Sequence, residues 1–413
     1  MIQRIILLLL LPFAGIAQTL DLYIREAYEN HPGILAERER LVASGARIDE
    51  VGGLKDPSLT ASYAVTPIET RVGPQIARFS IMQPLPWFGT LNSRSRSEYW
   101  KWRSANQSLI EMEVRVELEV RSSYHRLQEW HLLDALLKEN ISILEDLEAI
   151  ATQRFESGDG SMLDVLRIQM EKEEIKNQWE NWQDRGGNLR ESFNLLIGRD
   201  QGSSILLDSL VPPSPSTFKD SIDLSNHPEV NKWELESRAS AEALRAAKKD
   251  GAPSFAVGLD YVVIGERMDM DIPDNGKDAI MPMLSLSLPL WRKQYEGRET
   301  EAQQMAQFNL RKKEDALRIL RSRESEILSN LEVYSREVSL YKGLMEKAQV
   351  ALNLGMNSYS TGELAFEELM RIEQQWIRYR EGWIKALVQW NIAEAEWRFL
   401  STWKGISIQL RQC

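Results

Sequence analysis

The chain has 413 residues, a net charge of -11 and a pI near 5.2, and 43% of its residues are hydrophobic. This length is enough for two or three ordinary domains with a substantial core. The acidic balance argues against nucleic-acid binding, which usually requires a basic face, so no nucleic-acid partner is expected. Cations are the favoured small partners.

Residues 1–17 have the composition of a secretory signal peptide. A basic residue, Arg4, precedes an apolar run, and small residues follow up to Ala17, after which cleavage is predicted. The apolar run is too short to span a bilayer as a stable helix. The mature protein is therefore predicted to be exported.

Proline and glycine are distributed so unevenly that two very long helices are predicted. Residues 90–155 contain neither, and as one helix these 66 residues would extend about 100 Å. A second such segment covers 298–342 and continues toward Leu354. Residues 111–121 alternate with period 2, which is typical of a strand, but no turn signal bounds them and helix is favoured. Apolar residues at three-, four- and seven-residue steps predict a coiled-coil-like seam: Leu127, Leu133, Leu137, Leu144, Leu147 and Ala151.

Two β-hairpins are predicted at 58–66 with 76–84 and at 254–264 with 281–289, each around a loop rich in Pro and Gly. Segments of about nine to eleven residues have the length of tilted transmembrane strands. The third segment has an apolar face (Phe255, Val257, Leu259, Tyr261, Val263) and a small or polar face (Ser254, Ala256, Gly258, Asp260). This pattern fits lipid on one side and water on the other, and it equally fits an ordinary soluble hairpin.

The two halves of the chain repeat one pattern. Asn-His-Pro at 30–32 returns at 226–228, an offset of 196, and Trp87 and Trp291 are 204 apart. The sequence thus predicts a tandem duplication. Its boundaries are 18–209 for the first repeat, 210–223 for a Pro/Ser-rich linker, 224–404 for the second repeat and 405–413 for a C-terminal tail.

Across essentially the whole mature chain, the sequence resembles the TolC-like outer membrane efflux proteins, also called outer membrane factors. The resemblance rests on the helix openings 27–32 and 224–228 and on the strand exits SIMQPLPWFGTL and LSLSLPLW. It also rests on two helix turns, Phe155-x-x-Gly158 and Tyr359-x-x-Gly362. The form QPLPWFGTL is more similar to the heavy-metal (copper, silver or cobalt-zinc-cadmium) efflux branch than to the drug-efflux branch.

The resemblance implies a mainly α fold with a pair of transmembrane β-hairpins. Long antiparallel helices would form a periplasmic α-barrel, and each chain of a homotrimer would give four strands to a 12-stranded β-barrel. The strand count agrees, because four strands cannot close a membrane barrel. The implied protein lies in the outer membrane of a Gram-negative bacterium with a long periplasmic extension, in contact with outer membrane lipid.

The implied function is that of a passive channel subunit in a tripartite efflux system. Its partners would be a periplasmic adaptor (membrane fusion) protein and an inner-membrane pump, and metal cations are one candidate substrate class. No triad, P-loop, dinucleotide fingerprint or metalloprotease motif is present, so neither enzyme activity nor a cofactor is expected. The alternative is a soluble periplasmic coiled-coil scaffold or adaptor with soluble hairpins.

The residues of the two helix turns, Phe155, Gly158, Tyr359 and Gly362, are the candidates for adaptor docking that the resemblance implies. Six residues after each glycine, at equivalent positions, are Asp164 and Glu368. In three copies these residues would form rings of carboxylate at the entrance, which favour cations.

A purely local interpretation of Asp164 and Glu368 competes with this role at the entrance. Ser161 with Asp164, and Ser360 with Glu363, both fit the helix capping box. Carboxylates also suit helix N-termini in general. Glu368 lies beyond its box, so the local account is weaker there.

No metal site is predicted from the sequence. His31 and His227 precede a proline and are interpreted as helix caps. His125 and His131 are six residues apart, about 240° round a helix, and cannot share a site on it. Thioethers suit Cu(I), but four methionines near the second hairpin are interpreted as chance composition and lipid-facing side chains: Met268, Met270, Met281 and Met283. The single cysteine, Cys413, cannot form an internal disulfide.

Overall fold

The structure is a computed structural model that describes residues 19–213 and 222–401. The predicted signal peptide, the C-terminal tail with Cys413 and residues 214–221 of the linker lie outside the described residues. The elements are, in chain order, α1 (Thr19–Asn30), α2 (Pro32–Gly52), β1 (Ser58–Thr70), β2 (Gly73–Leu85), α3 (Thr90–Ser157), α4 (Met162–Leu196), a 3-10 turn (Leu224–Asn226), α5 (Pro228–Asp250), β3 (Ser254–Ile264), β4 (Ala279–Ser287), α6 (Arg292–Ser360) and α7 (Phe366–Ser401).

The two long helices are confirmed. Helix α3 has 68 residues and includes 111–121, so the period-2 segment is helical. Helix α6 has 69 residues and is longer than predicted at both ends, because it continues through Gly297, Gly343 and Gly355. Each glycine costs a helix only about 1 kcal/mol, which packing along the rest of a long helix offsets. None of the described helices combines the length and the apolar character needed to cross a membrane.

Each half of the chain runs helix, two strands, long helix, helix, in the same order. The Asn-His-Pro phrase opens α2 and α5, as predicted. His31 Nδ1 accepts from Gly33 N at 3.1 Å, and His227 Nδ1 accepts from Glu229 N at 3.3 Å. Both histidines therefore satisfy an amide of the first helical turn, which is the role of an N-cap.

The chain divides into two compact units, and each takes segments from both halves. Of the described residues, the first unit comprises 19–36, 110–213, 222–224 and 319–401. Its core contains the predicted seam of α3: Leu133, Leu144, Leu147 and Ala151 are buried together with Trp376 of α7. Leu127 is also buried, and Leu137 is only half-buried.

Two tryptophans join α3 to α4 in this unit. Trp130 Nε1 donates to the Trp182 carbonyl at 2.9 Å, and Trp182 Nε1 donates to the Trp130 carbonyl at 3.1 Å. The Trp130 ring lies where a side chain at Gly186 would be, since a Cβ there would be 2.0 Å from the ring. Gly186 is therefore required for close approach of the helices.

The second unit comprises 37–109 and 225–318. Buried serines on α3 allow this helix to pack closely against α5. Ser97 Oγ donates to the Ala239 carbonyl at 2.9 Å and Ser104 Oγ donates to the Lys232 carbonyl at 3.3 Å. Small hydroxyl side chains thus replace apolar ones along this contact.

The four strands of the second unit form one antiparallel sheet in the order β1-β2-β3-β4. Strand β3 has the predicted bounds. Strand β1 continues four residues beyond the predicted end at Thr66, past Pro67, and its register shifts between Tyr63 and Ile68. Proline is tolerated there because β1 is at the edge of the sheet and the ladder is interrupted.

Candidate functional site

One face of the sheet is apolar and exposed across all four strands. Leu59, Ile81 and Leu259 are directly paired across β1, β2 and β3, and their side chains are 74%, 48% and 43% exposed. The next row pairs Phe79 with Tyr261, and both rings are exposed as well. A continuous exposed apolar face of this size marks an interaction surface rather than ordinary protein surface.

The opposite face is polar. Arg78 of β2 forms a salt bridge with Asp260 of β3, whose side chain is fully buried. The predicted alternation of apolar and polar residues along β3 is therefore confirmed. Met281 is paired with Asp260, and Met283 is paired with Gly258. The two methionines thus lie on the polar face and not on the apolar face, which does not fit their interpretation as lipid-facing residues.

The two helix turns have the same backbone geometry. Gly158 and Gly362 have φ of 85° and 80°, values that favour glycine. Asp159 N donates to the Arg154 carbonyl at 2.9 Å, and Glu363 N donates to the Ser358 carbonyl at 2.8 Å. Both turns are Schellman motifs, in which an amide beyond the glycine satisfies a carbonyl at the end of the helix.

In the first unit, Arg154 links the ends of α3 and α6. Its Nη1 donates to the Tyr359 carbonyl at 2.7 Å and its Nη2 donates to the Asp159 carbonyl at 2.8 Å. Its guanidinium carbon also lies 4.6 Å from the centroid of the Tyr359 ring. Sequence reasoning missed Arg154. The available signal was a basic residue in the last turn of a helix, where a cation suits the exposed carbonyls.

The candidate docking residues Phe155 and Tyr359 are in different environments, although they occupy equivalent positions. Phe155 is 44% exposed, whereas Tyr359 is buried and packs against Phe366 with ring centroids 6.0 Å apart. Further apolar exposure comes from the first turns of α4, where Leu163 and Leu166 are both exposed. Exposed apolar residues at this end of the first unit therefore include Phe155, Leu163 and Leu166 on the α3–α4 side, and Leu354 near the end of α6 is exposed as well.

Asp164 is half-buried in the first turn of α4, beside Tyr359. Burial and the negative charge of Asp164 raise the pKa of the Tyr359 hydroxyl, and Arg154 partly offsets this. The helix itself is capped by Ser161, whose side chain accepts from Leu163 N at 3.1 Å. Asp164 is therefore close enough to Tyr359 for its charge to affect the Tyr359 hydroxyl.

Glu368 has a different environment from Asp164, despite the equivalent position. It lies in the first turn of α7, is also half-buried and pairs with Arg371 of the same helix, which lowers the pKa of Glu368. The proposed capping box of Ser360 and Glu363 is wrong. Helix α7 begins at Phe366, so Ser360 is too far from it to be its N-cap. Glu363 N and Leu364 N instead donate to the Ser358 carbonyl, in the turn that ends α6.

An ion pair that sequence reasoning missed joins α4 to α7. Arg167 Nη1 donates to Glu367 Oε1 at 2.6 Å, and both side chains remain largely exposed. A backbone hydrogen bond and Arg167 lower the pKa of Glu367. Exposed ion pairs contribute little to stability because water and salt screen them, so this pair links the two helices only weakly.

Within residues 19–213 and 222–401, no three His, Cys, Asp or Glu side chains are grouped so that they could hold a metal ion. His125 has a structural role instead. Its Nδ1 lies 2.7 Å from Gln128 Oε1, and Gln128 Nε2 donates to the Asp208 carbonyl at 2.6 Å, which fixes the segment after α4. Burial lowers the pKa of His125 to about 4, so the ring is neutral at pH 7.

The sheet, the paired long helices and their order define the fold of TolC-like outer membrane channels. Three solved structures share it over almost their full length. The outer-membrane channel OprN has 17% identity and a TM-score of 0.78, with 92% of this chain and 89% of OprN covered. The outer membrane protein VceC of Vibrio cholerae has 13% identity and a TM-score of 0.77, with 92% and 95% covered. CusC, which forms a transmembrane channel, has 13% identity and a TM-score of 0.78, with 93% and 92% covered. No family model and no curated protein matches the chain.

Proposed function

We propose that the protein is one subunit of a homotrimeric outer membrane channel that passively exports substrates from the periplasm. The observation that carries this proposal is the exposed apolar face of the sheet, opposite a polar face that contains a buried ion pair. Lipid on the first face and water on the second account for both. The fold shared with OprN, VceC and CusC supports the same conclusion.

The strand count supports a trimer. Among the described residues, β1 and β4 each pair on one side only, so one chain has two open edges. Unpaired backbone groups in hydrocarbon cost several kcal/mol each, and membrane barrels have at least eight strands. A threefold axis joins β4 of one chain to β1 of the next and closes twelve strands.

The helix turns at Gly158 and Gly362 are the proposed periplasmic entrance. Their exposed apolar residues, Phe155, Leu163 and Leu166, are proposed to dock a periplasmic adaptor, which connects the channel to an inner-membrane pump. The Arg154 link and the Arg167–Glu367 pair hold the helix ends together and form the proposed gate. Asp164 and Glu368 add negative charge, which favours cations, and metal cations are one candidate substrate class.

Fractionation and conductance test the channel. The protein is expected in the outer membrane, to require detergent for extraction and to form discrete conductance steps in planar bilayers. Recovery from the soluble periplasm without detergent would point to the scaffold alternative. A folded trimer without conductance in the wild type and in gate variants would contradict a channel.

A further inference from the structure

Three methionines lie on the polar face of the sheet, around a residue that has no side chain. Met82, Gly258 and Met283 are directly opposite one another on β2, β3 and β4. Met281, two residues before Met283, is paired with Asp260. Paired residues, and residues two apart in one strand, project from the same side of a sheet. The three thioethers therefore share the face of Asp260.

Gly258 has no side chain, so the region above it is available to the side chains of its neighbours. A Cβ atom at Gly258 would lie 2.7 Å from the Ile81 carbonyl oxygen and 3.3 Å from Met283 Cε. The Met283 side chain thus leans over β3, toward the strand that carries Met82. Methionine is unbranched and has three rotatable bonds, so Met82 and Met281 have the freedom to bring their sulfur atoms to the same gap.

Asp260 contributes an oxygen that the chain does not satisfy. The side chain is fully buried, and its Oδ2 pairs with Arg78. Its Oδ1 is also buried and has no hydrogen-bond partner among the described residues. A buried acceptor without a donor is unfavourable, and a cation bound nearby would relieve this cost.

We propose that Met82, Met281 and Met283 form a binding site for a soft monovalent cation, Cu(I) or Ag(I), with the Asp260 carboxylate beside it. Thioethers select soft cations. Hard divalent cations prefer several oxygen ligands, and the site offers one carboxylate that already pairs with Arg78. All four residues belong to one chain, so the site does not depend on trimer formation. In the proposed channel, three copies would face the interior.

Ag(I) is the appropriate probe, and the full-length protein purified in detergent is titrated with it by equilibrium dialysis. Every protein in this titration carries Cys413→Ser, because a free thiol would itself bind Ag(I). The Cys413→Ser parent is expected to bind one Ag(I) per chain at the methionine site. Met82→Leu with Met283→Leu is expected to weaken this binding about tenfold or more. The matched control is Met268→Leu with Met270→Leu in the exposed loop of the second hairpin, which is expected to leave the binding unchanged. Each Met→Leu substitution nearly conserves side-chain volume, and such substitutions are tolerated in packed positions.

Oxidation of the wild type provides a second measurement that needs no variant. Peroxide converts methionine to the sulfoxide, and bound Ag(I) is expected to slow this reaction at Met82, Met281 and Met283. Met268 and Met270 are expected to oxidise at an unchanged rate. The proposal is overturned if the folded Cys413→Ser parent binds no Ag(I), if both double variants lose binding equally, or if Ag(I) protects no methionine of the sheet. In that case the methionines only fill the space over Gly258. A lack of conductance would count against the channel and leave the Ag(I) result unaffected.

Discussion

Arg154, at the end of α3, holds Tyr359, at the end of α6, although the two residues are 205 positions apart in the chain. One guanidinium nitrogen donates to the Tyr359 carbonyl at 2.7 Å while the same cation lies against the Tyr359 ring. A hydrogen bond from a charged group contributes about 1.5–3 kcal/mol, and the ring contact contributes about 0.5–2 kcal/mol. One side chain thus connects the two helix turns.

Arg154→Ala is expected to loosen these turns. In single-channel recordings the variant should open more often than the wild type, because the link that holds the two helix ends is lost. Amide hydrogen exchange at 358–363 should accelerate, since the Tyr359 carbonyl keeps only its hydrogen bond from Gly362 N and loses the one from Arg154. The matched control is Arg336→Ala on α6, where the exposed arginine lies 3.7 Å from Glu332 and has no closer ion-pair partner among the described residues. Equal gating in both variants would assign Arg154 a purely structural role.

Two adjacent glycines in α4 are expected to respond oppositely to the same substitution. Gly186→Ala places a Cβ 2.0 Å from the Trp130 ring, whereas a Cβ at Gly187 meets no atom within 4 Å. Overpacking costs about 1–3 kcal/mol, so Gly186→Ala should lower the melting temperature. Gly187→Ala should raise it, because alanine favours a helix over glycine by about 1 kcal/mol. Thermal melting in detergent, followed by circular dichroism, measures both. A tolerated Gly186→Ala would contradict the close contact with Trp130.

Local patterns in the sequence predicted the helices and strands well. Alternation gave the bounds of β3, and the absence of Pro and Gly gave most of α3. The errors in the predicted bounds occurred where a single proline or glycine was taken as the end of a strand or helix. Pro67 does not end β1, because an edge strand tolerates a missing amide, and Gly297 does not delay α6. Tertiary packing overrides weak local preferences at such positions.

Contacts between distant segments were not accessible from the sequence. Arg154 reaches Tyr359 only because the two helix turns lie side by side, which periodicity does not encode. Likewise, Met82 lies on the same face as Met283, across Gly258, only because β2 and β3, from different halves of the chain, are neighbours in the sheet. Equivalent position also did not imply equivalent environment, as the exposed Phe155 and the buried Tyr359 demonstrate. Duplication therefore predicted where the turns are and not what their side chains contact.

Glu373 of α7 is a buried carboxyl that the sequence did not reveal. Its side chain is 1% exposed, and Oε1 has no hydrogen-bond partner within the described residues. Burial, and to a smaller extent the negative charge of Glu171, raise the pKa of Glu373 to about 7. Ionisation of Glu373 therefore opposes folding at neutral pH.

The sign of the pH dependence follows from this shift. The usual pKa of the carboxyl is 4.5, so the folded state holds its proton more tightly than the unfolded state does. The resulting stability is fully present below pH 4.5 and is lost as the pH rises through the folded-state pKa of about 7. A shift of this size corresponds to about 3 kcal/mol. Glu373→Gln should therefore be more stable than the wild type at pH 8 and show little difference at pH 4. Denaturant unfolding at both pH values measures this, with the exposed Glu332→Gln as control. An equal effect of Glu373→Gln at both pH values would contradict the shift.

Asp164 and Glu368 should contribute unequally to ion selectivity. A carboxylate attracts a monovalent cation 4 Å away by about 1 kcal/mol in water. Asp164→Asn should therefore lower the cation-to-anion permeability ratio several-fold in a trimer. Glu368→Gln should have a smaller effect, because Arg371 already offsets the charge of Glu368. The reversal potential of single channels in a salt gradient measures both, and Arg371→Gln should increase cation selectivity as the complementary control. If Asp164→Asn leaves the reversal potential unchanged, Asp164 has only its local role in the first turn of α4.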